Sequence, residues 1–126
     1  MENFAPQNGS KARSVTPTAR VLIIAGSDSG GGAGIQADIK TVAMLGGHPM
    51  TAVTAVTAQN TLGVDAVHAI PAEMILAQMD AVISDIGVDA VKIGMVGSAF
   101  AARQIATRLQ ELKNLQPDLP IVFDPV

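Results

Sequence analysis

Cysteine is absent from the 126 residues, as are tryptophan and tyrosine; phenylalanine occurs three times. Without cysteine there are no disulfides and no thiolate metal sites, and a reducing compartment is permitted. Aromatics at 2% leave no stacking platforms for single-stranded nucleic acid. A formal net charge of −3 argues against a footprint for a phosphate backbone. No run of eighteen apolar residues occurs, so no membrane span is expected. The opening "MENFAPQNGSKARSVTPTAR" has no apolar h-region, which argues against a secretory signal. Residues 1–20 read as a mobile extension ahead of residues 21–126, and a soluble, cytoplasmic protein is expected.

What remains is rich in Ala, Val, Ile, Leu and Met. At 48% apolar and 15% charged, the chain is globular in composition. A core without large rings suits a buried parallel sheet covered by Ala-rich helices. The pattern bears this out along the chain. Val21–Ala25 is a continuous apolar run ended by glycine, consistent with a buried strand. Ile35–Leu45 follows a helical period, with Ile35, Ile39, Val42, Ala43 and Leu45 on one face, and Gly46-Gly47 ends it. Met50–Ala58 reads as a strand and Asp65–Ile70 as a short one. Pro71 opens a helix to about Ile86, with Met74, Ile75, Met79, Val82 and Ile83 inward. Ala90–Met95 returns to strand, Ser98 caps a helix to about Lys113, and Ile121–Phe123 opens a last strand. Alternating strands and helices predict an α/β fold with a mostly parallel sheet flanked by helices. With no helix after the last strand, the domain reads as truncated after about five strands.

In such sheets ligands bind beyond the carboxyl ends of the strands. The segments there are "GSDSGGGAG", "TAQNT", "KIGM" and "DPV". A glycine loop before a helix suits an anion, but the Walker pattern needs a lysine that this loop lacks. A dinucleotide fingerprint fits in part, as Gly32-x-Gly34-x-x-Ala37, yet no acid follows about twenty residues on. A tight turn for close helix–strand packing needs no ligand at all. Asp38, at the edge of the helix stripe, either complements the helix dipole or accepts a hydrogen bond from a substrate hydroxyl. Gln59 either satisfies loop backbone, the commoner case, or reads an aminopyrimidine edge as glutamine reads adenine. Met95 is core or pocket wall. Asp124 holds a cation through water or caps the next element. Neither His48 nor His68 has a partner in the sequence that suggests a metal or catalytic role.

Taken together, "AGSDSGGGAGIQADIKT", "TAVTAQNT", "VDAVKIGM" and "DPV" resemble the hydroxymethylpyrimidine kinase / phosphomethylpyrimidine kinase family of thiamine biosynthesis, from about Val21 to Val126. The resemblance implies a ribokinase-like fold. It also implies ATP-dependent phosphorylation of 4-amino-5-hydroxymethyl-2-methylpyrimidine and its monophosphate, with ATP and Mg²⁺ as cofactors and a homodimer at full length. By the same resemblance the glycine loop lines the pyrimidine pocket: Ala33 faces the ring, Asp38 takes the hydroxymethyl group and Gln59 holds the polar edge. Met95 and Val126 are apolar walls, and Asp124 lies near Mg²⁺ and the ATP phosphates. Gly30 stands where many members have serine. The family's catalytic residue and anion-hole glycines lie in a half that would follow Val126, so this chain supplies none and is expected to be inactive alone. The alternatives are a pyridoxine- or pyridoxal-type vitamin kinase of the same fold, and a non-catalytic dinucleotide- or ligand-binding module.

Overall fold

The computed structural model describes residues 17–126. The extension expected over residues 1–20 falls, through residue 16, outside the described residues, and Arg20 already belongs to the first strand. The elements in chain order are β1 (Arg20–Ser27), α1 (Gly34–Met44), β2 (His48–Gln59), β3 (Val64–Ala69), α2 (Ala72–Asp85), β4 (Ala90–Ile93), α3 (Ala99–Leu115) and β5 (Ile121–Phe123). They form one five-stranded sheet in the order β3-β2-β1-β4-β5. Every pairing is parallel except β2 with β3, which is an antiparallel hairpin.

β1 is central because it is apolar on both faces: Leu22, Ile23, Ile24 and Ala25 are all buried. Side chains alternate across a strand, and the two faces have different partners. Leu22 and Ile24, with Met50, Ala52 and Val91, pack against Ile75 and Met79 of α2 and Ile105, Leu109 and Leu112 of α3. On the opposite face Ile23 lies beside Lys92 of β4, and α1 covers β1 and β2 there. α1 has no fully buried residue, so its cover is thinner than that of the other two helices.

The helix ends follow from local chemistry. Gly46 and Gly87 adopt φ of 86° and 85° just past the C-caps of α1 and α2, a region that side chains rarely enter. Their neighbours' orphan carbonyls are closed by Gly46 N–H to Ala43 O and Gly87 N–H to Val82 O, each at 3.0 Å. Ser98 caps α3, its Oγ accepting from Ala101 N–H at 3.0 Å. Three expected packing positions differ, Ala43 of α1 being exposed as well as Met74 and Leu45. Met74 is 54% exposed: the inward stripe of α2 runs through Ile75 and Met79, and Met74 lies a hundred degrees round the helix, above Gln78. Leu45 is 83% exposed because it is the C-cap, where α1 has already turned away from the sheet. The fourth strand is also shorter than expected, while β5 lies where expected. β4 stops at Ile93, and Gly94 adds one more ladder bond to Ile24 O at 2.9 Å before the chain turns.

The connection through α1 steps from β1 to β2, and the one through α2 returns across β1 to β4. The direction of winding therefore reverses between β1 and β4. A crevice opens at such a reversal, beyond the strand ends.

Candidate functional site

A pocket of about 260 Å³ occupies that crevice. It lies just below the usual range of roughly 300–1,000 Å³ for small-molecule sites, which suits a single ring. Its floor is Ala25, Gly26 and Ser27 at the end of β1 with Gly94 and Met95 after β4; Thr57 and Gln59 of β2 and Val64 and Val67 of β3 form one side. Two lining glycines leave little room for a side chain. A Cβ on Gly26 would stand 2.7 Å from Met95 Cε, the end of a flexible side chain that can move aside. Gly34 has φ of 57°, and a Cβ there would run into Gly26 O.

The glycine loop between β1 and α1 is organised by a residue that composition and spacing did not single out. Asp28 is buried. Its carboxylate accepts from Gly30 N–H at 2.7 Å, Ala33 N–H at 2.8 Å and Gly32 N–H at 3.0 Å. These bonds, led by that of Gly30, hold its carboxyl below the usual carboxylate range, against the opposing effect of burial. Gln36 locks the loop from the helix side: its Oε1 accepts from Asp28 N–H at 2.8 Å and its Nε2 donates to Ser27 Oγ at 2.7 Å. The N–H groups that would cradle a phosphate are thus already taken by an internal carboxylate. This loop shapes a wall and leaves little for an external anion to bind.

Gln59 is held by its backbone. Its N–H donates to Ser29 Oγ at 2.7 Å, and that hydroxyl donates to Gln59 O at 2.6 Å. Thr57 Oγ1, 2.7 Å from Ser27 O, lies 3.2 Å from Gln59 Oε1. The amide is therefore positioned at the pocket side with hydrogen-bonding capacity to spare. Gly30 lies under the same clamp. A Cβ there would come within 3.1 Å of Asp28 Oδ1 and 3.3 Å of Asn60 Cα, so a serine at this position requires its neighbours to shift slightly.

Asp38 lies in the second turn of α1, beyond the reach of the helix dipole at the first turn. Its carboxylate pairs instead with Lys92 Nζ at 2.7 Å, both side chains being three-quarters or more buried. Lys92 lines the pocket directly. Ala33, Gln59, Met95 and Val126 line it too, so four of the six residues singled out in the sequence meet in one cavity, and Asp38 reaches its edge through Lys92. Asp124 does not line it: it is exposed beyond β5, its N–H donating to Ile93 O at 2.9 Å. Among the described residues no group of three or more His, Cys, Asp or Glu could hold a metal. One acid suits contact through water to an ion held by phosphates, and does not make a closed metal site.

Residues 28–126 match the family model described as phosphomethylpyrimidine kinase. The chain belongs to the phosphomethylpyrimidine kinase family. It is 54% identical over 107 residues to a hydroxymethylpyrimidine/phosphomethylpyrimidine kinase of Mycobacterium tuberculosis, covering 85% of this chain and 38% of that protein. Among solved structures, phosphomethylpyrimidine kinase from Clostridium difficile superposes with a TM-score of 0.78 at 46% identity, over 86% of this chain and 46% of that one. The pyridoxal kinase of Staphylococcus aureus with AMP-PCP and pyridoxal gives 0.75 at 35% identity, over 88% and 40%. The chain thus spans less than half the length of each of these relatives. Its fold is the ribokinase-like α/β arrangement expected from the motifs, and family membership disfavours a dinucleotide-binding module. No helix among the described residues is long and apolar enough to cross a membrane.

Two site residues were missed in the sequence, and each had a signal. Asp28 stands two before Gly30 in a turn-forming run, where an Asp side chain bonds to backbone two residues on. Lys92 is the single charge in the strand "AVKI". A cation in a buried strand requires a partner nearby.

Proposed function

We propose that these residues form the substrate side of a kinase that transfers phosphate from ATP to 4-amino-5-hydroxymethyl-2-methylpyrimidine and to its monophosphate. The observation that supports this best is the meeting in one small pocket of the Gln59 amide and the Lys92–Asp38 pair. The amide matches the amino and ring-nitrogen edge of the pyrimidine, accepting from one and donating to the other. Ala33, Met95 and Val126 serve as the apolar surfaces against the ring, and Asp38 accepts from the hydroxymethyl group. Family membership supports the same reading.

On this reading ATP supplies the phosphoryl group, and Asp124 would meet its Mg²⁺ through water. Phosphoryl transfer depends on positioning and on neutralising developing charge. The single cation lining the pocket among the described residues, Lys92, is already engaged by Asp38. The 126 residues alone are accordingly expected to bind pyrimidine weakly and to give no turnover. The whole protein acts in the cytoplasm as a homodimer on this reading.

The likeness to the pyridoxal kinase structures favours pyridoxal as a second ring of similar size. Calorimetry on the whole protein with the pyrimidine alcohol and with pyridoxal, followed by a coupled ADP assay with Mg-ATP, decides between them. Tighter binding and faster turnover of the pyrimidine support the proposal; preference for pyridoxal overturns it.

A further inference from the structure

Lys92 raises a question that stability alone does not answer. It sits in mid-strand between Val91 and Ile93, beside Ile23, where an apolar residue would pack at no desolvation cost. Replacing a buried ion pair by apolar residues of similar size is often neutral or stabilising. The pair is also placed at the pocket, not in the core: a Cβ on Gly94, itself a lining residue, would come within 3.1 Å of Lys92 Nζ.

The charges around the cavity can be accounted for one by one. Asp28 lines it, but its carboxylate is turned into the loop and bound by three N–H groups. Lys40 is directed to Gly31 O at 2.7 Å. What remains is Asp38 with Lys92, opposite charges 2.7 Å apart. On the kinase reading above, this place must receive two ligands of different charge. One is a neutral alcohol; the other is its phosphomonoester, with about −1.5 to −2 charges near pH 7. A lone carboxylate suits a hydroxyl and repels the ester. A carboxylate neutralised by an ammonium still accepts from a hydroxyl and no longer repels the ester.

We propose that Lys92 is a specificity-determining residue: by neutralising Asp38, it allows one pocket to take both the hydroxymethylpyrimidine and its monophosphate. This rests on the proposed kinase function. The test is isothermal titration calorimetry on the whole protein with each ligand, for the wild type and for Lys92→Met, Lys92→Arg and Lys92→Met/Asp38→Asn. Lys92→Met leaves Asp38 uncompensated, so monophosphate affinity should fall at least about tenfold and alcohol affinity by less than about threefold. Lys92→Arg keeps the charge and should stay near wild type for both. The double variant removes both charges and should recover monophosphate binding, which neither a packing role nor a direct lysine–phosphate contact predicts. Equal losses for the two ligands in Lys92→Met, or no recovery in the double variant, overturn the inference. Should Lys92→Met fail to fold, the double variant decides by whether it binds monophosphate within about threefold of wild type. A wild-type protein that binds neither ligand overturns the kinase reading itself, an outcome separate from the others.

Discussion

Replacing Gln59 by alanine isolates the contact on which, under the proposed function, recognition of the ring depends. The backbone at this position is fixed without the side chain, because Ser29 Oγ bonds both Gln59 N–H and Gln59 O at 2.7 and 2.6 Å. The side chain's one internal contact, Thr57 Oγ1 to Gln59 Oε1, is long at 3.2 Å, and the Thr57 hydroxyl keeps its shorter bond to Ser27 O. Truncation therefore leaves no buried group stranded, and the fold should hold. What is lost is a two-point contact to the pyrimidine edge, about 1–3 kcal/mol. That corresponds to a rise in Kd of roughly 5- to 150-fold, at about 1.4 kcal/mol per decade. Calorimetry on the whole protein measures it, with ATP as the control ligand. ATP affinity should change little, since Gln59 lines the pocket proposed for the pyrimidine. Unchanged pyrimidine affinity refutes the assignment of Gln59, and equal weakening of both ligands shows general damage in place of a lost contact.

Asp38→Asn keeps shape and removes the charge; the thermal midpoint should fall because Lys92 loses its partner, and if the carboxylate orients the substrate hydroxyl, kcat/KM of the protein that remains folded should also fall at least about tenfold, or 1.4 kcal/mol. Turnover at the wild-type level in steady-state assays would return Asp38 to a purely structural pairing with Lys92. Gly34→Ala forces a side chain into φ of 57°, costing about 1–2 kcal/mol, and drives it toward Gly26 O; urea denaturation should show at least that loss, and an unchanged midpoint would mean the loop relaxes freely. The Asp89 carboxyl is held down to about 2, chiefly by its hydrogen bond from the Arg20 side chain. Its contribution is therefore complete above pH of about 4, its unfolded value, and lost as pH falls toward 2. Both side chains are about two-fifths exposed, so salt should weaken the effect. Acid unfolding of Asp89→Asn should differ from wild type above pH 4 and converge with it near pH 2, and parallel curves throughout would contradict the linkage.

Most of the fold was legible because its signals are local. The uninterrupted Val21–Ala25 run, ended by glycine, reads as a buried strand, and it is the centre of the sheet. Gly46 and Ser98 mark helix ends through backbone conformation and a single hydroxyl, and both act where expected. The misplaced details depend on neighbours distant in sequence. Met74 fits the period of α2 as well as Ile75 does; only the position of α3 decides which of them faces inward. β2 runs to Gln59 because β3 returns to pair with it, Gln59 opposite Val64. No feature of "TAVTAQNT" contains that hairpin.

The site divides along the same line. Gln59, Ala33 and Met95 follow strand ends or the glycine loop, so locating the strands locates them too. Asp28 and Lys92 escape that logic, since each is defined by what it bonds: three backbone N–H groups for one, and a carboxylate 54 residues away for the other. Asp28 also settles the ambiguity of the glycine loop on physical grounds. A run such as "GSDSGGGAG" ahead of a helix gathers N–H donors, and gathered donors attract an anion from whatever source is nearest. Here the nearest anion is part of the loop. Once its carboxylate has taken Gly30, Gly32 and Ala33, the outward surface is mostly glycine and alanine. The same residue that closes the loop to phosphate makes it a flat apolar wall of the kind against which a small ring can lie.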